Sequence, residues 1–287
     1  MRAFAYERPT RIDDVIAILA ERGTDARLLA GGTDLIIRLR DGTTQPQVVV
    51  DVKRVTDLDG EIRDSDQSVR IGALATMTAI ADHAQIRQDF AALAEAALVV
   101  GSVQIRNRAT LAGNICNASP AADTLPALLV YGARVELTGP DGVRTLPVDD
   151  VLVRSEVTTL ARGELVTAIE LPLPTAPRGA VHLRQTRRRG HDLASVTLAC
   201  SVSSDGVTRF AYGSLGPRPL LVVDDSGLLA DPAAPDAAKG RRLDELFVDA
   251  SPSARSMRAS PDYRMAMLRV LGLRGVAAAT ARLRATA

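Results

Sequence analysis

Two stretches of this chain concentrate groups that can hold an anion at short range. The first is Ala30-Gly31-Gly32-Thr33-Asp34-Leu35, where paired glycines precede a hydroxyl and a carboxylate. A short apolar strand over residues 27–30 runs into it and a helix opens from Thr33-Asp34. Backbone N–H groups exposed at such a junction favour a phosphate, and glycine suits the position because a Cβ would hold the anion off. The second stretch, residues 106–123, carries Thr110, Asn114 and Ser119 as donors, Gly113 as a point of close approach, and Asp123 as an acceptor suited to a ribose hydroxyl pair. Together these are the functions a dinucleotide needs. Each also has a plain structural reading: a Gly-Gly turn, side chains that satisfy local turns, and Asp123 capping a helix that starts near Thr124. No Walker sequence or Gly-x-Gly-x-x-Gly fingerprint occurs, which argues against an ordinary P-loop or Rossmann site.

Other reactive groups are sparse. Cys116 and Cys200 are the only cysteines, so the chain alone offers no Cys-x-x-Cys metal site, disulfide framework or protein-ligated iron–sulfur cluster. Any such centre must belong to a partner. Cys116 is the one thiol near the second stretch, and an isolated cysteine is usually a small buried hydrophobe. His83, His182 and His191 are scattered without metal-ligand spacing. Arg187-Arg188-Arg189-Gly190-His191 is a basic run of the kind usually found on a solvated face; near a binding site it could hold a partner or an anionic acceptor.

The elements that position these residues follow from periodicity. Ile12, Val15, Ile16 and Leu19 recur at helical spacing after Thr10, a candidate N-cap, and Gly23 ends the helix. The strand, the glycine turn, a helix halting near Gly42 and a buried strand over residues 47–52 complete a small α/β unit. Residues 61–63 and 68–71 predict a hairpin, and Thr76 and Asp89 precede alanine-rich helical segments. Between Gly101 and Pro126 periodicity vanishes, which predicts a long functional loop. Strands over 133–137, 143–146 and 165–171 lead to the prolines between Pro172 and Pro177, the expected domain boundary. Beyond it, residues 182–189, 195–202 and 207–213 predict an antiparallel sheet, 228–238 is small and polar, and 261–283 predicts a closing helix.

Composition bounds the function. A length of 287 residues implies two domains, at one domain per roughly 150 residues. Thirty-five Lys and Arg against 34 Asp and Glu leave no electrostatic footprint for nucleic acid. Four Phe, four Tyr and no Trp leave no stacking platform for single strands. With 46% hydrophobic and 24% charged residues the chain is globular rather than disordered. No apolar run approaches the ~18 residues of a membrane span, and residues 1–11 lack a secretory core, so a cytoplasmic protein is expected.

Taken together, the loops resemble those of the flavin-binding medium subunit of the molybdenum hydroxylases, the xanthine dehydrogenase and carbon monoxide dehydrogenase family. The likeness spans nearly the whole chain. It rests on residues 30–35, on 106–123 continuing into Pro126-Ala127-Leu128-Leu129 and Gly132-Ala133, on Gly163-Glu164-Leu165 through Glu170-Leu171-Pro172, and on Ser260-Pro261-Asp262-Tyr263-Arg264. The resemblance implies an α+β fold: a para-cresol-methylhydroxylase-like FAD-binding domain over residues 1–175, with two α/β subdomains of about 1–56 and 57–175, then a small α+β domain over 176–287 with an antiparallel sheet and helices. It places Gly31, Gly32, Thr33, Thr110, Gly113 and Asn114 on the FAD pyrophosphate, with Ala30, Asp34 and Leu35 completing the first loop. It sets Ser119 and Asp123 beside the adenosine portion, and Leu165 and Val166 on the strand that passes the isoalloxazine ring. Arg184 stands where several relatives keep a Lys near the flavin, and Ala112 replaces the first glycine of the common Gly-Gly-Asn. Related folds that attach flavin covalently use His or Cys; residues 24–46 contain neither, so FAD is expected to be held without a covalent bond.

The function implied is an electron-transfer oxidoreductase subunit with no catalytic or metal-ligating residue of its own. A large molybdopterin subunit would oxidise the substrate and a small iron–sulfur subunit with 2Fe-2S clusters would relay electrons to the FAD, in a complex able to dimerise. Molybdopterin and 2Fe-2S clusters are expected on those partners only. The form of the second loop leans slightly towards the xanthine dehydrogenase branch. Two alternatives are an independent flavin oxidase acting on a small organic substrate, which would need an acid or base pair not recognisable in the loops, and a scaffold that has lost its cofactor, against which the intact glycine loops argue.

Overall fold

Short apolar strands alternating with helices near the N-terminus pair into a parallel sheet in the computed structural model, which describes residues 2–286. Its spatial order is Ala5–Glu7, Val48–Asp51, Ala26–Leu29. The helix Ile12–Arg22 buries Val15 and Leu19 and ends at Gly23, but Thr10 does not cap it. Instead the backbone N–H of Ile12 donates to Asp57 Oδ2 at 3.0 Å, while the carbonyl of Thr10 accepts from Thr56. The strand Ala5–Glu7, exposed at every residue, carries no apolar signal and was not anticipated by periodicity.

A five-stranded antiparallel sheet follows, in the order Ile62–Asp64, Ser68–Gly72, Leu165–Pro172, Arg134–Gly139, Gly142–Pro147. The register of Leu165–Pro172 against its neighbour shifts between Val166 and Ala168, and such a bulge re-aims side chains where a strand borders a site. The long loop expected over 101–126 is corrected by three short helices, Val103–Arg106, Leu111–Asn117 and Thr124–Val130. The first two are too short to show a helical period, and their starts are written in single hydroxyls: Ser102 accepts from Ile105 N–H and Thr110 from Gly113 N–H.

The third sheet is antiparallel, in the order Arg178–Gln185, Val196–Ser203, Thr208–Gly213, Leu220–Asp224. The last strand and the helix Asp236–Leu246 were missed. That helix buries only Gly240 and Leu243, so it has no apolar stripe to read. The sheet is covered on both faces. Val196, Leu198, Cys200 and Val202 face a C-terminal core with Phe210, Phe247 and Leu268, against the long helix Pro261–Thr286. The small residues Ala180, Ala199 and Ala211 face the N-terminal core instead, so the sheet lies flush on helices Ala91–Leu98 and Thr124–Val130. The whole is the expected α+β architecture. Among the described residues no helix is long and apolar enough to cross a membrane.

Candidate functional site

The two glycine stretches meet in space. A Cβ on Gly31 would lie 2.1 Å from the carbonyl oxygen of Arg108, so the first loop rests directly on the second. Gly31 therefore serves loop-to-loop approach before any ligand is considered. Gly32 has φ +76°, a left-handed conformation that side chains resist, and turns the chain into the helix Leu35–Asp41. The second stretch is pinned from below: Met77 N–H donates to the Ala109 carbonyl at 2.9 Å and Leu111 N–H to that of Ala75 at 3.3 Å.

The pair opens on a cleft of about 1380 Å³, above the ~300–1,000 Å³ of a pocket for a drug-sized ligand. Ala30 to Leu35 form one wall, with Arg38 behind them. Thr110, Gly113, Asn114 and Cys116 form the floor, and Leu165, Val166, Ser119, Asp123, His191 and Leu193 also line the cleft. Arg38 ties the walls together, donating to Asn117 Oδ1 at 2.5 Å and lying 3.0 Å from Glu156 Oε2.

The polar groups on the floor are half used. Thr110 Oγ1 accepts from Gly113 N–H at 3.1 Å, Asn114 Oδ1 accepts from the Thr124 hydroxyl at 2.6 Å, and Ser119 Oγ accepts from Ala121 N–H at 3.3 Å. In each case the protein occupies an acceptor and leaves the hydroxyl or amide proton to donate. The N–H groups of Gly32, Thr33 and Asp34 have no acceptor among the described residues. The cleft thus offers a set of donors in a row, which is the complement of an anion carrying many oxygens.

Several carboxylates that line the cleft are paired. Glu164 is held below the usual range by Arg144, whose Nε lies 2.6 Å from its Oε1. Asp123 does not cap the helix Thr124–Val130 that follows it. Its Oδ2 sits 3.2 Å from Arg184 Nη1 and its Oδ1 3.4 Å from His182 Nε2. Asp192 pairs with Arg187, whose guanidinium draws the carboxyl down to about 2. Cys116 is exposed on the cleft, and the protein around it reduces hydration enough to push its thiol up to about 11. Solvent in the cleft softens that shift without reversing it.

Comparison with known proteins interprets this geometry. Residues 2–174 match the model of the FAD binding domain in molybdopterin dehydrogenase, and residues 181–279 that of the CO dehydrogenase flavoprotein C-terminal domain. The chain belongs to the FAD-binding subunits of the molybdenum hydroxylases. This FAD subunit is 34% identical to the carbon monoxide dehydrogenase medium chain of Afipia carboxidovorans, with 98% of each chain covered. It is 28% identical to a putative xanthine dehydrogenase FAD-binding subunit of Escherichia coli, with 96% of each covered. Its fold matches reconstituted CO dehydrogenase from Oligotropha carboxidovorans with a TM-score of 0.89 at 30% identity, covering 98% of this chain and 99% of that one. The lean of the second loop towards the xanthine branch does not extend to the whole chain, where identity to the CO dehydrogenase relative is higher.

The residues of the FAD subunit fit its cofactor on structural grounds: a glycine cradle, a row of free donors and a cleft of dinucleotide size. All the anticipated site residues line that cleft except Arg184, which is paired with Asp123. Its guanidinium extends along the strand Arg178–Gln185 towards Asp123 and the carbonyls of Val99 and Asp192, which consume its reach. The sequence did not single out His182, Asp192 or Arg38. All three act through partners distant in sequence, and no local spacing announces them.

Proposed function

We propose that the subunit holds FAD non-covalently in this cleft, between the iron–sulfur relay of a partner and an electron acceptor. The pyrophosphate lies on Gly31, Gly32, Thr33, Thr110, Gly113 and Asn114, the adenosine portion towards Ser119 and Asp123, and the flavin ring along Leu165 and Val166. The observation that carries this is the row of unspent donors above a glycine cradle. FAD, when bound, supplies a carrier that accepts electrons singly and releases them in pairs. The chain's own residues bind it and orient it.

The same reading divides the chain into an FAD domain over 1–175, with subdomains of about 1–56 and 57–175, and a C-terminal domain over 176–287. The working unit is a cytoplasmic heteromeric complex with a large molybdopterin subunit, which oxidises the substrate, and a small subunit carrying 2Fe-2S clusters. Two cysteines cannot ligate such clusters, so both must come from outside this chain. The test is purification of the native complex, with flavin, iron and molybdenum measured per chain. One FAD with this chain, and metal only with its partners, is expected. A purified chain that takes up no FAD would sink the assignment.

A further inference from the structure

Arg184 and His182 lie on Arg178–Gln185, the first strand of the C-terminal sheet, and neither lines the cleft. They reach its wall from behind. Arg184 Nη1 is 3.2 Å from Asp123 Oδ2 and donates to the Val99 carbonyl at 3.0 Å, while Nη2 donates to the Asp192 carbonyl. Val99, Asp123 and Asp192 all line the cleft, yet they sit on three separate segments. One planar, rigid guanidinium therefore sets the relative position of three pieces of wall.

His182 completes the arrangement. Its Nε2 lies 3.0 Å from the buried Thr197 hydroxyl and 3.4 Å from Asp123 Oδ1, and both His182 and Asp123 are 8% exposed. Asp123 Oδ1 is closed off from solvent and turned to His182, whereas Oδ2 keeps accessible surface beside Arg184. A carboxylate this buried needs partners, and both partners here come from the C-terminal sheet. That sheet is locked in place: its small residues Ala180, Ala199 and Ala211 pack in the N-terminal core, and His182 N–H donates to Glu95 Oε2 at 2.9 Å.

We infer that Arg184, assisted by His182, is a positioning residue that fixes the Asp123 carboxylate so that Oδ2, the oxygen not closed off by protein, accepts from the adenosine half of the cofactor. The C-terminal domain is thereby part of the cofactor site, and it is what makes the subunit prefer FAD over FMN, which lacks the adenosine. The inference rests on the reading that FAD occupies the cleft with its adenosine portion towards Asp123.

The test uses the full chain stripped of flavin, titrated separately with FAD and FMN by fluorescence quenching. Wild type is compared with Arg184→Gln, Arg184→Lys and His182→Gln. Arg184→Gln is expected to weaken FAD about 10- to 100-fold, as for loss of one charged hydrogen-bond partner, with FMN changed less than about threefold. Arg184→Lys should recover part of the difference, since an ammonium keeps the charge but not the fork. His182→Gln should move FAD the same way by a smaller factor. Equal weakening of FAD and FMN, or weakening of neither, overturns the inference. Should Arg184→Gln not fold, the other two variants carry the same comparison. A wild type that binds neither flavin refutes the FAD reading itself, and is thus distinguishable from a failure of Arg184 alone.

Discussion

Gly113→Ala separates what a glycine does for the fold from what it does for the cofactor. Gly113 is the third residue of the helix Leu111–Asn117 and its N–H donates to Thr110 Oγ1 at 3.1 Å. An alanine there gains about 1 kcal/mol of helix propensity. Its Cβ would sit 2.9 Å from Thr110 Oγ1, the end of a side chain that can rotate away. Losing that cap costs about 0.5–2 kcal/mol, so the two effects nearly cancel in the flavin-free protein. Its melting temperature should move by no more than about 2–4 °C per kcal/mol of imbalance. The cofactor has no such compensation. A methyl on the exposed glycine holds the pyrophosphate off the floor and removes one charge-assisted hydrogen bond, worth about 1.5–3 kcal/mol. That converts to a rise in Kd of roughly 10- to 150-fold. Calorimetry of the apoprotein and flavin-fluorescence titration of the same preparation read the two quantities apart. An intact melt with Kd unchanged within about twofold would falsify the placement of the pyrophosphate on this floor.

The other predictions contrast with it or extend it. Gly31→Ala should destabilise the flavin-free protein itself by about 1–3 kcal/mol through overpacking against the Arg108 carbonyl, visible as a lower melting temperature; an unchanged melt would mean the loops do not touch. Because the Cys116 thiol is pushed up to about 11, its thiolate fraction is small at pH 8 and grows as pH rises towards that value. Alkylation of the apoprotein should therefore be slow at pH 8, accelerate with pH and be blocked by FAD, and labelling that FAD does not slow would place Cys116 outside the site. Acid precipitation of the loaded subunit should leave all yellow colour in the supernatant, whereas flavin in the pellet, lost in Cys116→Ser, would show a covalent link. Finally, substrate of the complex should not reduce flavin on the isolated subunit; rapid reduction without partners would promote the independent oxidase.

What could be read in advance depended on range. Strands of five residues or more with an apolar face, such as Leu165–Pro172 and Val196–Ser203, declare themselves because alternation persists long enough to be counted. The two loops stood out because glycine, hydroxyl and amide groups cluster locally, and the fold brings them to one cleft. Their secondary structure was not: the helices Val103–Arg106 and Leu111–Asn117 end before two turns of periodicity accumulate, so a capped segment looked like a loop. Arg184 was seen as a charge near the cofactor, but its direction is set by Val99 and Asp123, 85 residues back along the chain in the first case. His182 carried no local signal, since Asp123 and Glu95, which face it, lie far back along the chain.

The glycines show how local reading assigns one reason to positions that the fold uses in different ways. A Gly-Gly before a helix suggests that both positions yield space to a ligand. Here Gly31 yields it to the protein's own Arg108 carbonyl and Gly32 supplies a left-handed turn, while Gly113 lies on the floor itself. The three glycines thus do three physical jobs: one brings the loops together, one directs the chain into the helix, and one leaves the floor bare. The last two depend on the first, because the donors of the two loops can face a single pyrophosphate only if the backbones are already in contact. Building the contact into the fold spends the ordering entropy during folding rather than at binding, so the cofactor meets donors that need no rearrangement.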